Sequence, residues 1–275
     1  MKIRVGYEIN YQSSLPTPML LTLSLHPSRL PDLLTPHRID FDPPIPTSDY
    51  RDGFGNICTR IVAPEGPLII SAEMVVADSG VPDIVEPLAP QHPIEDLPEE
   101  ALVFLLGSRY CETDRLTEIA WLRFGTVPPG WGRVQAIVDF VHEHISFGYE
   151  HARPTKTAWD VYGERAGVCR DFTHLAVTLC RCMNIPARYC TGYLGDIGIP
   201  PVPAPMDFSA WFEVYLGSRW YTFDARHNRP RIGRIVMARG RDATDVAIVT
   251  SFGPCKLAGF KVLTDEVAST SPATS

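Results

Sequence analysis

Cys169 is the first residue of chemical interest. It stands in Gly167-Val168-Cys169-Arg170-Asp171-Phe172, ahead of apolar residues at Phe172, Leu175, Ala176, Leu179, Cys180 and Met183. Spacings of three and four describe one buried helical face. Asn184-Ile185-Pro186 ends the helix, because proline cannot continue the ladder. The thiol therefore falls on the first turn, beside unpaired backbone N–H groups and the positive end of the helix dipole, where thiolate is favoured. A nucleophilic cysteine suits that position. A buried core cysteine is the competing reading, since free thiols commonly pack as small hydrophobes.

Asp224 is the second candidate, on an otherwise apolar strand. Phe208 to Leu216 and Arg219 to Arg226 flank Gly217-Ser218, a two-residue turn of the glycine-first type. Closing it pairs Leu216 with Arg219, Val214 with Tyr221, Phe212 with Phe223, Trp211 with Asp224 and Ser209 with Arg226. Ser209, Trp211, Asp224 and Arg226 then share a face, with Ser209 and Asp224 diagonal neighbours whose Cα atoms are about 7–8 Å apart. A long side chain at 209 would reach Asp224, whereas serine needs a bridging water. Taken alone, Asp224 would simply pair with Arg226 or Arg219.

Other clusters carry less. His142-Glu143-His144 sits on the amphipathic helix of Val134, Ile137, Val138, Val141 and Ile145, where residues two apart diverge, so it reads as solvated surface and not as a zinc motif. Cys180, Cys182 and Cys190 lack the geometry and the second pair of a metal site and read as core packing. No metal or cofactor is expected. The formal net charge of −7, without a basic stripe, argues against nucleic acid or anionic membrane as partner. No run approaches the roughly 18 apolar residues of a membrane span. Met1 to Val5 lacks a signal peptide's apolar block. Seven cysteines, an odd number, do not form a disulfide framework, and a cytoplasmic location is expected.

The positioning elements follow from periodicity. Ile3, Val5, Tyr7, Ile9 and Tyr11 alternate with polar residues, as do Leu21 to Leu25, and strand-like runs span Phe54 to Val62 and Leu68 to Ala77. Residues 1–80 thus read as an antiparallel β domain of sandwich or half-barrel type. Residues 81–130 form a helical connector, with Pro98 opening one helix and Thr113 capping another. Residues 131–263 form an α+β core, in which Ala187 to Tyr193 is a strand and the proline-rich Ile199 to Pro205 a stiff loop bordering a groove. Further strands span Ile232 to Ala238, Val246 to Phe252 and Ala258 to Leu263. Residues 264–275, small and polar, read as a disordered tail.

A helical cysteine followed by a strand hairpin carrying an aspartate resembles the transglutaminase-like superfamily, in particular its bacterial cysteine protease branch. The likeness rests on Thr157-Ala158, on the Gly167 to Phe172 segment, and on Ile185-Pro186-Ala187-Arg188-Tyr189 with Thr191-Gly192-Tyr193. It continues through Asp207-Phe208-Ser209-Ala210-Trp211-Phe212-Glu213-Val214 and Trp220-Tyr221-Thr222-Phe223-Asp224-Ala225-Arg226. It covers about residues 130 to 255, and the N-terminal β domain also fits.

The resemblance implies a papain-like core and a cysteine amidase that hydrolyses, or transfers the acyl group of, a peptide or glutamine-type amide. Cys169 would be the nucleophile and Asp224 would orient the base. Trp159 and the Cys169 N–H are weaker candidates for oxyanion stabilisation. The family's histidine falls at position 209, where this chain has Ser209. Serine neither titrates near neutral pH nor carries positive charge, so the expectation is an impaired enzyme or an inactive peptide- or partner-binding protein. His174 lies roughly 140° around the helix from Cys169 at 100° per residue, which does not favour contact. His227 has the opposite strand parity to Asp224, and only a bulge after Asp224 would bring it round.

Overall fold

The computed structural model describes residues 1–203 and 205–268. The sequence opens with strands β1 (Lys2–Ser13), β2 (Thr17–Leu21), β3 (Asp40–Asp42), β4 (Ser48–Arg51), β5 (Ile57–Ala63) and β6 (Gly66–Ala77). Helices α1 (Glu99–Leu102), α2 (Thr113–Phe124) and α3 (Trp131–His144) follow, then β7 (Ser146–Phe147), α4 (Ala158–Glu164), β8 (Ala166–Gly167) and α5 (Cys169–Cys182). Strands β9 (Ala187–Tyr193), β10 (Ser209–Leu216), β11 (Arg219–Phe223), β12 (Ile235–Gly240), β13 (Val249–Ser251) and β14 (Cys255–Glu266) complete the described residues.

Two antiparallel sheets, ordered β14-β1-β6-β3 and β13-β2-β5-β4, build the N-terminal layer; a third, β11-β10-β9-β12, carries α5. The fold is therefore α+β, as the periodicities predict. The alternation in β1 buries Ile3, Val5, Tyr7 and Ile9 against Met19, Leu21, Ile61, Leu68 and Ile70. That cluster also takes in Tyr193, Phe208, Ile235 and Met237, so the N-terminal layer and the third sheet share one apolar interior.

The expected boundaries change in three places. Strands β13 and β14 return to pair with β2 and β1, so the last part of residues 131–263 completes the N-terminal layer. The connector is part of the second core, because Ala89, Cys111, Leu116, Ala120 and Phe124 pack with α3, α5 and the β10–β11 hairpin. Residues 264–266, expected in the disordered tail, continue β14: Thr264 is buried opposite Val5, and its carbonyl oxygen lies 2.5 Å from where a Cβ on Gly195 would fall. Residues 269–275 lie outside the described residues.

Helix α5 differs from its pattern in a way that matters for the site. Phe172, Leu175, Ala176, Leu179, Cys180 and Met183 are buried as predicted, but so is every residue from Asp171 to Cys182. Helices α2, α3 and α4 pack on it from one side and β9 and β10 from the other, leaving no solvated face. Cys180, Cys182 and Cys190 are all buried, in keeping with core packing. Among the described residues, no helix is long and apolar enough to cross a membrane.

Candidate active site

The local sequence explains how Cys169 is held. Asp171 Oδ2 accepts the Val168 N–H at 2.9 Å, closing the N-terminus of α5 from within its first turn. Its carboxylate occupies the space a Cβ on Gly167 would need: that Cβ would lie 2.6 Å from Asp171 Oδ2, so glycine is required two residues before the cysteine. Arg170 adds hydrogen bonds to Asp171 Oδ1 at 3.4 Å and to the Arg153 carbonyl. Cys169 thus begins α5, half-buried, packed beside Tyr189 and Ala210 of β9 and β10.

The thiol does not follow the simple helix-end expectation. Burial pushes it above the ordinary thiol range, and Asp207 pushes the same way. The Arg226 guanidinium and the Ala210 N–H pull against this without overcoming it. Desolvation outweighs the dipole here.

The β10–β11 hairpin has the predicted register from Leu216↔Arg219 to Phe212↔Phe223, and there it stops. Gly217 and Ser218 both have positive φ (52° and 66°), so the turn is left-handed at both positions and not at glycine alone. The Ser218 N–H donates to His92 Nε2 at 2.8 Å, which helps hold that conformation. The expected pairs Trp211–Asp224 and Ser209–Arg226 do not form, because Asp224 leaves the strand and starts a turn closed by Asn228 N–H on the Asp224 carbonyl at 2.8 Å.

That turn decides the geometry of the site. Asp224 Oδ1 accepts the N–H groups of Arg226 and His227, each at 3.0 Å, while Oδ2 accepts His227 Nδ1–H at 2.8 Å and Arg234 Nη2–H at 2.9 Å. Burial alone would raise Asp224, but the Arg234 charge and the His227 contacts hold it well below the usual carboxylate range. It therefore stays ionised. With Nδ1 donating to a carboxylate, His227 keeps Nε2 for other partners. The turn is anchored to α3: Asn228 Nδ2 donates to Asp139 at 2.9 Å, Gln135 donates to Asn228 at 3.0 Å, and His142 meets the Ala225 carbonyl at 3.1 Å.

A cavity of about 110 Å³ brings Cys169, Ser209, Arg226 and His227 together. The proline-rich loop also lines it, through Ile199, Val202 and Pro205, and so borders a groove as expected. Arg226 is stacked on Phe147, its guanidinium 3.8 Å from the ring centre. Ser209 opens β10 opposite Gly192.

Other residues fall elsewhere. His174 is fully buried, stacked on Tyr110 and accepting the Ala243 N–H at Nε2, so it turns away from Cys169. Trp159 is not brought to the cavity. The Thr157–Asp160 capping box orients α4 so that the indole lies under Arg115, 4.3 Å from its guanidinium, beside Tyr162. His144, expected in solvent, stacks between Phe140 and Tyr162 and donates to the Tyr162 carbonyl at 2.8 Å. Arg234 and its second partner Asp83, 2.9 Å away, support Asp224 in place of the expected Arg226 or Arg219. No spacing in the sequence links residue 83 to residue 224. Among the described residues, no three His, Cys, Asp or Glu side chains gather as metal ligands.

Residues 124–225 match the transglutaminase-like superfamily. Over 96% of its length the protein superposes on a crystal structure from Cytophaga hutchinsonii, provisionally assigned as a cysteine protease. The identity is 30%, the TM-score 0.84, and 90% of that structure is covered. An uncharacterized Mycobacterium tuberculosis protein is 28% identical over 233 residues, 76% of this sequence and 73% of that one. A second uncharacterized protein, from Mycobacterium leprae, is 33% identical over 91 residues, 32% of each sequence.

Proposed function

The chain belongs to the transglutaminase-like superfamily, and from that premise we propose that it is a cysteine-dependent amidase acting on peptide or protein amides, with His227 as its base. The observation that carries this reading is the 2.8 Å bond between His227 Nδ1 and Asp224, at the edge of the cavity that Cys169 lines. The roles of the triad are defined by geometry and not by position in the sequence. A buried, ionised Asp224 fixes the imidazole tautomer, so Nε2 is the atom left to take a proton.

In this mechanism the Cys169 thiol gives its proton to His227 Nε2 and the sulfur attacks the substrate carbonyl. The Cys169 N–H, at the start of α5, faces the developing oxyanion. The C–N bond then breaks, the amine leaves with the proton from His227, and a thioester remains on Cys169. Water or an amine attacks the thioester, giving up a proton to His227, and the thiolate leaves and is reprotonated. Hydrolysis and acyl transfer differ only in that last nucleophile. The thiol starts protonated, consistent with its upward shift, so the base must act in the same step as attack.

Ser209 favours a second reading, an inactive peptide-binding protein on the same fold. Incubation with a mixed peptide digest, followed by mass spectrometry of the Cys169 peptide, separates the two. A hydroxylamine-sensitive acyl adduct that vanishes in Cys169→Ala and forms far more slowly in His227→Gln supports the amidase. No adduct and no released amine from the unmodified protein would leave the binding reading. All seven cysteines are free, which suits a cytoplasmic site of action.

A further inference from the structure

Three arginines of one short segment, Arg226, Arg229 and Arg231, line the cavity of Cys169 and His227. Among the described residues, none of the three has a carboxylate within ion-pair distance, whereas Arg234 a few residues on has two. Arg231 is the telling one. It is 4% exposed, one Nη donates to the Gly195 carbonyl at 2.8 Å, and its Nε has no partner. Burying a guanidinium without a counter-charge is costly, and a fold keeps such a group where something else supplies the charge.

The acidic residues of the cavity do not meet this need. Asp196 accepts the Val202 N–H at 2.7 Å and Asp207 the Phe208 N–H at 2.7 Å, and neither forms an ion pair with the three arginines. The lining is left net positive in a protein whose total charge is −7. Ile199, Val202, Pro205 and Met206 add an apolar part to the same lining.

We infer that the molecule received here carries a free carboxylate, seated on Arg229 and Arg231, with an apolar portion against the Ile199–Pro205 loop. This rests on Cys169 being the thiol that meets the substrate, and it narrows the amide to one with an acidic group close to the scissile bond. The free C-terminus of a peptide and an aspartate or glutamate side group present the same chemistry.

The test uses the thiol and not turnover. Iodoacetate and iodoacetamide react alike, the sulfur displacing iodide from a CH₂ group, and differ in one charge. Rates at Cys169 are followed by mass spectrometry of its peptide and compared with N-acetylcysteine under the same conditions. The iodoacetate-to-iodoacetamide ratio at Cys169 should exceed that of the free thiol by about tenfold, the scale of focusing in a charged cleft, and should shrink with salt. Arg231→Met should abolish the excess. Arg229→Gln, at the exposed rim, should lower it severalfold and tests the idea even if the buried variant unfolds. A ratio equal to that of the free thiol, or one unchanged in Arg229→Gln, overturns the proposal.

Protection of Cys169 from iodoacetamide then identifies the source. Peptides ending in a carboxylate are compared with their C-terminal amides, and glutamate-containing peptides with their glutamine counterparts. Protection by either acid supports the inference and names the source; equal protection by acids and amides overturns it. A protein that shows the anion preference yet cleaves no amide refutes the amidase and keeps this site.

Discussion

Replacing His227 by Gln asks where the base of this site lies. The variant keeps a side chain able to donate to Asp224 while removing the imidazole proposed to accept the proton. Asp224 retains its three other donors, from Arg226, the residue-227 backbone and Arg234, so the turn should persist. Loss of one charge-assisted bond, partly replaced by the glutamine amide, should cost about 1 kcal/mol of stability. In a domain of this size that is about 2–4 °C in melting temperature. Loss of a general base is larger, about 10²- to 10⁴-fold in rate, or about 3–5 kcal/mol at 1.36 kcal/mol per tenfold. Activity should therefore collapse while the fold hardly changes. The assay is acylation of Cys169 by a peptide substrate in single turnover, beside a thermal melt of the same preparation. Ser209→His makes the complementary prediction: with the base on the turn, an imidazole at 209 enters a cavity of about 110 Å³ shared with Arg226 and does not raise the rate. A His227→Gln rate within about threefold of the parent, far short of the loss expected for a missing base, refutes this assignment. A large gain from Ser209→His would refute it too.

Asp224→Asn should lower activity by about 10⁴-fold, as expected when the orienting carboxylate no longer fixes the imidazole tautomer. Arg234 keeps Asp83, so the stability loss should sit at the low end for a broken buried pair, about 3 kcal/mol, measured as a drop in the denaturant midpoint. Acidification should destabilise the fold between about pH 6.5 and 4. Burial holds His174 down near 3 and, with Arg239, His26 near 4, so the unfolded chain binds protons the folded chain refuses. His174, fully buried, contributes up to about 1.4 kcal/mol per pH unit, and the partly exposed His26 less; a urea midpoint that is flat across this range would count against it. Gly192→Ala would place a Cβ 2.2 Å from the Ile235 carbonyl, backbone against backbone, so β9 and β12 must part at a cost of about 2–3 kcal/mol, visible as a lower melting temperature.

The sequence is most informative where one physical rule acts alone. Period-two burial marks β1, and the Gly217-Ser218 turn sets the hairpin register as far as Phe212↔Phe223. It misleads where rules compete. Parity arguments hold only inside a ladder, and Asp224 is the first residue outside one, so the face expected for His227 has no force. The helix end argues for an acidic thiol, yet α5 is buried on all sides and desolvation prevails. Arg234 and Asp83 are invisible because their contact joins segments 151 residues apart by tertiary packing alone.

If His227 is the base, as proposed, the absence of histidine from position 209 carries little weight. A histidine on β10 would owe its orientation to the strand ladder. On the turn, orientation comes from the carboxylate of Asp224 and from α3, through Asp139, Gln135 and His142, all of which hold Ala225 or Asn228. These anchors lie on the helix that packs against α5, so the proposed base and the proposed nucleophile are fixed to one helical layer. With a small residue at 209, Arg226 shares the cavity lining with Cys169, and its guanidinium draws the thiol toward thiolate. That guanidinium supplies the positive charge an imidazolium at 209 would otherwise bring. In the proposed mechanism proton transfer is left to His227, whose other ring nitrogen is already committed to Asp224.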